Sequence, residues 1–140
     1  MSPRKQRLNV LLLAVIVGLT LATGYIHFWV GGTMLLLNAA GYFTLAAATV
    51  ITAVFLRRFL PLVLIALAGY AAVTIVGWLI MGPYFDVAYM AKAIEIGLIT
   101  TIAIYLRRNS EDTKAAIAWA LAIPAALLSR RDRRPATEEK

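Results

Sequence analysis

The chain has 140 residues, of which 61% are hydrophobic and 15% are charged. A soluble domain carries roughly 25% charged residues and about half apolar ones, so this composition excludes an ordinary soluble globule. The absence of cysteine excludes disulfides and thiolate metal sites, and a single histidine excludes a His-rich metal site within one copy. The formal net charge of +7 predicts an anionic partner, and its distribution indicates a membrane rather than nucleic acid.

Four long apolar runs follow one another, at residues 8–30, 33–56, 59–81 and 87–106. Each is near or above the roughly 20 residues that a helix needs to cross about 30 Å of hydrocarbon. In lipid, only helices satisfy every backbone group at that length. The connections are short, so consecutive helices must be neighbours. The sequence therefore predicts an all-α fold, a transmembrane four-helix up-down bundle over residues 1–108.

The start of the first run has some features of a secretory signal peptide. Arg4, Lys5 and Arg7 form a plausible basic leader, and residues 22–24 form a tolerable cleavage site. However, the apolar part of a signal peptide is only about 7–15 residues long, and this run is longer. We therefore expect a retained membrane anchor.

The basic residues flanking the runs predict the orientation in the membrane. Two connections, at residues 31–32 and 82–86, contain no Lys or Arg. Cytoplasmic loops carry an excess of these residues. We therefore predict a multi-pass protein of the cell (inner) membrane with both termini in the cytoplasm. The residues that decide this orientation are Arg4, Lys5, Arg7, Arg57, Arg58, Arg107 and Arg108.

A fifth apolar stretch, residues 115–128, is short for a span and contains Pro124. If it crossed the membrane, the basic tail after it would lie outside. We therefore predict an interfacial helix within a cytoplasmic segment, residues 109–140, either on the membrane surface or docked on the bundle. We expect the basic tail to bind anionic lipid or an acidic partner; its basic residues are Arg130, Arg131, Arg133 and Arg134.

Small residues recur at four-residue spacing in the apolar runs. Membrane helices often pack closely through such stripes. We therefore expect them to form the helix contacts within the chain. The stripes are Ala14-Gly18-Ala22, Ala40-Thr44-Ala48-Thr52, Gly69 with Gly77, and Ala93-Gly97-Thr101.

Polar residues concentrate in the outer half of the predicted bundle. Lys92 and Glu95 lie three apart on one helix face, His27 lies near the outer end of the first helix, and Asn38 and Tyr42 lie one turn apart on the second. An ionisable residue inside a span is a functional hypothesis by default. Two interpretations stay open: a polar knot that fixes helix register, and a ligand or proton site.

Structural roles account for part of this pattern. Lys92 could extend to the outer headgroups, and Asp86 is predicted to be the N-cap of the fourth helix. Glu95 lies about 13 Å further along that helix than Asp86, too deep to reach water. It must be neutral, or paired with Lys92 or a protonated His27.

The chain also resembles known proteins. The pattern of His27, Gly31-Gly32, Leu37-Asn38 and Gly41-Tyr42, with Trp78, Gly82-Pro83, Tyr89, Lys92 and Glu95, resembles a functionally uncharacterised group of small four-span prokaryotic membrane proteins. The likeness covers about residues 8–108. In size and helix number the chain is also similar to DoxX-type proteins, which are linked to quinone chemistry. Their Arg-Gly pattern in the first helix is missing here, and neither resemblance assigns a function.

Three functions fit these features. The first is a non-enzymatic accessory subunit of a larger membrane complex, with other membrane subunits or further copies as partners beside the bilayer. The second is a quinone- or haem-associated protein, in which His27, Glu95 and Tyr42 form an outer site. A haem would need a second axial ligand from a homodimer or from a methionine. The third is an oligomeric transporter or channel using Glu95. The methionines that could serve as the second haem ligand are Met34, Met81 and Met90. No catalytic or nucleic-acid motif occurs in the sequence.

Overall fold

A computed structural model describes the backbone of residues 3–82 and 84–131, and side chains through residue 123. The described residues form five α-helices and a single 3₁₀ turn, with no strand among them. The first four α-helices are long and apolar enough to cross a membrane, which confirms the predicted all-α class and the four candidate spans. The elements are α1 (Pro3–Val30), α2 (Thr33–Val54), the 3₁₀ turn (Arg57–Phe59), α3 (Leu60–Met81), α4 (Asp86–Arg108) and α5 (Ser110–Arg131).

Two different turns join the helices. Gly31 and Gly32 have φ angles of 76° and 87°, a left-handed conformation in which glycine avoids the steric cost of a Cβ atom. The chain thus leaves α1 and enters α2 within two residues. At the opposite turn, Leu56 precedes the 3₁₀ turn, and Pro61 occupies the first turn of α3, where its missing N–H costs nothing.

The four long helices form a ring of contacts. Helix α1 packs against α2 and α4, and α3 packs against the same two helices; among the described residues, no Cα atoms of α1 and α3, or of α2 and α4, lie within 8 Å of each other. The Asn9 amide donates to Asn109 at 2.9 Å, and His27 faces Glu95, so α1 and α4 run in opposite directions. The central apolar side chains include Ile16, Leu64, Leu67, Leu98 and Ile102.

The two ends of this ring differ in chemistry. We call the end that contains residues 31–32, residue 82 and residues 84–85 the glycine end. The other, which we call the arginine end, contains residues 57–58 and 107–108 together with the start of α1, because Asn9 contacts Asn109 there. The basic residues that decide the predicted orientation therefore lie at one end.

The predicted small-residue stripes do not form the main helix contacts. Ala14 and Gly18 are exposed, and no described atom lies within 4 Å of a Cβ atom built on Gly18, Gly69, Gly77 or Gly97. The expectation was wrong at these positions, because small residues at four-residue spacing occur on outward faces as well, whereas Thr52 of the second stripe is buried. The close contacts are made at Gly24, against Tyr42 and Phe43, and at Gly41, against Tyr70.

Gly41 gives a direct test of this packing. A Cβ atom there would overlap the ring and hydroxyl of Tyr70. We expect Gly41→Ala to lower the free energy of unfolding by about 1–3 kcal/mol, the usual cost of overpacking. Gly18→Ala, which meets open space, should be neutral or slightly stabilising. Thermal unfolding of both variants in detergent measures the difference, and equal melting temperatures would contradict the packing described here.

Helix α5 differs from the predicted interfacial helix 115–128. It begins at Ser110, with Glu111 and Asp112 in its first turn, and continues through Pro124 to Arg131. It contacts α3, α4 and the 3₁₀ turn, and Trp119 packs edge-on against Phe59 with ring centroids 5.0 Å apart. Acidic residues favour a helix N-terminus, which accounts for the earlier start at Ser110. The predicted site in the basic tail (Arg130, Arg131, Arg133 and Arg134) lies outside the described side chains.

Candidate functional site

A buried ion pair lies at the centre of the glycine-end half of the ring. The Lys92 Nζ atom donates to Glu95 Oε2 at 2.7 Å across three residues of α4. Glu95 is fully buried and Lys92 is nearly so. Lys92 therefore does not extend to the headgroups. The predicted pairing of the two residues is present, and it leaves the site with no net charge while His27 is neutral.

Helix α1 supplies two polar groups to the same carboxylate. Thr23 Oγ1 donates to Glu95 Oε1 at 3.2 Å, and His27 Nε2 lies 3.7 Å from the same oxygen. His27 Nδ1 lies 2.8 Å from the Thr23 carbonyl oxygen, which only accepts, so Nδ1 carries a hydrogen and donates it. Nε2 is thus the nitrogen whose protonation would add a second ion pair to Glu95.

Helices α2 and α3 complete the site through two hydroxyls. Tyr42 Oη and Thr74 Oγ1 lie 2.9 Å apart. Because the Thr74 hydroxyl donates to the Ala71 carbonyl at 2.8 Å, the Tyr42 hydroxyl is the donor between them. The Tyr42 ring also packs at 5.5 Å from the His27 ring. Four helices therefore meet at one polar cluster, which we call the buried cluster: Thr23, His27, Tyr42, Thr74, Lys92 and Glu95.

Asn38 joins this cluster through Tyr70. The Tyr70 hydroxyl lies 3.3 Å from both the carbonyl oxygen and the side-chain oxygen of Asn38. The ring of Tyr70 packs edge-on against Tyr42 with centroids 5.0 Å apart. Asn38 is therefore part of the same constellation, although it does not contact His27 or Glu95 in the bonds described.

A pocket lies on the glycine-end side of the buried cluster, lined by all four long helices. Its volume is about 570 Å³, within the roughly 300–1,000 Å³ typical of small-molecule sites. The lining is mostly apolar, with polar groups from His27, Thr74 and Lys92. Met34 and Met81 also line the pocket and are 79% and 83% exposed. The other lining residues include Ile26, Val30, Leu35, Asn38, Val73, Gly77, Trp78, Phe85, Val87, Ala88 and Ala91.

Lys92 retains a hydrogen-bond donor for this pocket. An ammonium group has three N–H donors. Among the described residues, its acceptors are Glu95 at 2.7 Å and the Thr74 carbonyl at 3.4 Å. The third N–H is therefore available to an oxygen of a molecule that enters the pocket.

The contacts of His27 bear on the haem alternative. Its Nδ1 atom donates to the Thr23 carbonyl oxygen, an arrangement that is common in metal-bound histidines. Its Nε2 atom, which would be the axial ligand, lies 3.7 Å from Glu95 Oε1, so a haem iron would have to displace this carboxylate. Met34 and Met81 line the pocket.

The sequence predicted part of this site. The structure brings together His27, Tyr42, Lys92 and Glu95. The predicted N-cap role of Asp86 is wrong, because Phe85 occupies the N-cap position and Asp86 is the first residue of α4. Sequence reasoning missed the hydroxyl partners. For Thr23 a signal existed, because it lies four residues before His27 on the same helix. Tyr70 and Thr74 lie on α3, where the sequence predicted no site residue.

Comparisons with known proteins add no assignment. No family model, no curated protein and no solved structure matches the chain. The function must therefore be argued from the buried cluster and its pocket.

Proposed function

We propose that this chain is a four-span, up-down membrane protein that binds a neutral amphipathic molecule of the quinone class in the glycine-end pocket. The observation that carries the proposal is the Lys92–Glu95 pair, buried against an apolar pocket of about 570 Å³. An apolar cavity with a few convergent polar groups is the usual form of a small-molecule site. By the positive-inside rule, the glycine end faces the outer side of the inner membrane.

The charge of the site favours a neutral ligand. The negative charge of Glu95 already balances the positive charge of Lys92 at 2.7 Å. A buried anionic headgroup would therefore add an unpaired charge at a high desolvation cost. A quinone carbonyl accepts a hydrogen bond without bringing charge. The remaining N–H of Lys92 is the donor that this oxygen would meet, and the ring would lie against the apolar walls of the pocket.

The other ligand-based hypotheses have less support. A haem would have to displace a contact of His27, as described above. For a transporter or channel, Glu95 would have to exchange a proton or cation, but Lys92 and Thr23 hold its two oxygens. Measuring liposome flux for wild type and Glu95→Gln tests transport, and a flux that depends on Glu95 would favour it over ligand binding alone.

Filling the pocket tests the proposal. Gly77 lines the pocket, and a side chain there would meet open space rather than backbone. We expect Gly77→Leu to weaken the binding of a short-chain ubiquinone at least tenfold, as measured by equilibrium titration in nanodiscs, because the leucine occupies the ring's volume.

Gly69 provides a matched control for this variant. It lies on the same helix, also has open space beside it, and does not line the pocket. Gly69→Leu should bind the ubiquinone as wild type does. If both variants bind with wild-type affinity, the pocket is not the quinone site.

An accessory role in a larger membrane assembly is a second candidate. It is supported by the outward-facing small residues, since Gly18, Gly69 and Gly97 leave open space on three different helices. Small residues allow a neighbouring helix to approach closely. The polar residues do not support it, because the buried cluster finds its partners within the chain. Recovery with larger proteins after mild detergent extraction would favour this role, and recovery as a free monomer would count against it.

A further inference from the structure

A second pocket lies at the arginine end, between the 3₁₀ turn and α5. Its volume is about 510 Å³. It lies far from the buried cluster along the helices, and none of its lining residues belongs to the site described above. The residues that line it are Arg57, Arg58, Phe59, Asp112, Ala115, Ala116 and Trp119.

Two arginines are held in place at this pocket. The Arg58 guanidinium lies over the Phe59 ring at 4.5 Å and over the Trp119 ring at 5.8 Å. The Arg57 Nε atom donates to the Ala53 carbonyl at 3.2 Å. A stacked guanidinium keeps its in-plane N–H groups free for an anion. Among the described residues, no carboxylate lies within ion-pair distance of Arg57 or Arg58.

The charge at the pocket matches a phosphodiester. Arg57 and Arg58 contribute two positive charges, and Asp112 offsets one of them, which leaves a net charge of +1. A phosphodiester carries a single negative charge. Two guanidinium forks also suit the oxygens of a phosphate geometrically.

The position of the pocket indicates a lipid rather than a free anion. Arg57 and Arg58 lie at the start of the third candidate span, a few residues after the end of α2, where headgroups would be. The adjacent end of α2 exposes Val54 and Phe55, an apolar surface along which acyl chains would lie. A soluble phosphate could not use that surface.

We infer that this pocket binds the headgroup of one anionic phospholipid, with Arg57 and Arg58 holding the phosphate and α5 covering it. This site does not depend on the proposed quinone site. It differs from the general attraction of basic residues for an anionic leaflet, because it holds one lipid at defined donors and should keep that lipid after the bilayer is removed.

Native mass spectrometry in detergent tests this inference, because diffuse attraction to a leaflet is absent there. We expect one phosphatidylglycerol to remain bound to the wild-type protein, and phosphatidylcholine to be retained much less. Arg57→Gln and Arg58→Gln should each weaken retention roughly tenfold or more. Arg58→Lys should weaken it as well, since lysine lacks the planar fork. Arg7 is exposed and does not line the pocket, so the control variant Arg7→Gln should retain the lipid.

Several results would overturn the inference. They are wild-type retention in Arg57→Gln, wild-type retention in Arg58→Lys, and an equal loss in Arg7→Gln. Displacement of the lipid by millimolar glycerol 3-phosphate would show a site for soluble phosphate instead. Arg58 variants would also lose the lipid if α5 no longer docked on the bundle. The fluorescence emission of Trp119, kept as the sole tryptophan, reports whether α5 is docked. Arg57→Gln avoids this second cause, because it leaves both aromatic contacts of Arg58 in place.

Discussion

Replacing Lys92 with methionine should lower the free energy of unfolding by about 3–5 kcal/mol. Methionine keeps the volume and the apolar stem of lysine but removes the ammonium group that lies 2.7 Å from Glu95 Oε2. The fully buried Glu95 carboxylate would then lose its shortest hydrogen bond and its charged partner, and the Thr23 hydroxyl at 3.2 Å is an uncharged donor. Reversible unfolding in mixed micelles measures the change.

The chain contains a matched control for this variant. Lys114 and Glu111 form an ion pair with the same three-residue spacing at 3.1 Å, but both side chains are largely exposed. Exposed pairs contribute little, so Lys114→Met should leave the unfolding midpoint almost unchanged. Similar losses in Lys92→Met and Lys114→Met would show that burial of the first pair does not matter.

Removing both charges should separate folding from ligand binding. In the double variant Lys92→Met with Glu95→Leu, no unpaired charge remains, and the replacements are close in volume. Such replacements of a buried pair are often neutral. We therefore expect most of the stability lost in Lys92→Met to return, as measured in the same unfolding experiment.

Ligand binding should not return with it. The double variant lacks the Lys92 N–H that we assign to the quinone carbonyl, and a hydrogen bond from a charged donor contributes about 1.5–3 kcal/mol. The affinity for a short-chain ubiquinone should thus fall roughly tenfold to a hundredfold. A stable double variant with wild-type affinity would mean that Lys92 does not contact the ligand. The control is the double variant Lys114→Met with Glu111→Leu, which should bind the ubiquinone as wild type does.

The sequence predicted the helices better than their rotation. Span positions follow from the length of each apolar run, and the pairing of Lys92 with Glu95 follows from a spacing of three residues within one helix. Both depend only on local geometry. The meeting of Thr23 with Glu95, or of Tyr42 with Thr74, depends on how each helix is rotated about its axis.

Apolar composition leaves that rotation undetermined. In lipid, the outer face of a helix is as apolar as its inner face, so Gly18 and Gly97 gave no sign that they face outward. The polar residues were better guides, since His27, Tyr42, Lys92 and Glu95 all face inward. For α5, the acidic pair Glu111–Asp112 was a usable local signal for an earlier start.

The most direct test of the proposed function is a fluorescence titration with Trp78 as the sole tryptophan. Trp78 lines the glycine-end pocket, whereas Trp119 lines the pocket at the opposite end. A variant with Trp29→Phe and Trp119→Phe keeps Trp78, and one with Trp29→Phe and Trp78→Phe keeps Trp119. In nanodiscs, a short-chain ubiquinone should quench Trp78 saturably, and adding Gly77→Leu should abolish the saturable part. Quenching that rises linearly and equally for Trp78 and Trp119 would contradict the quinone site.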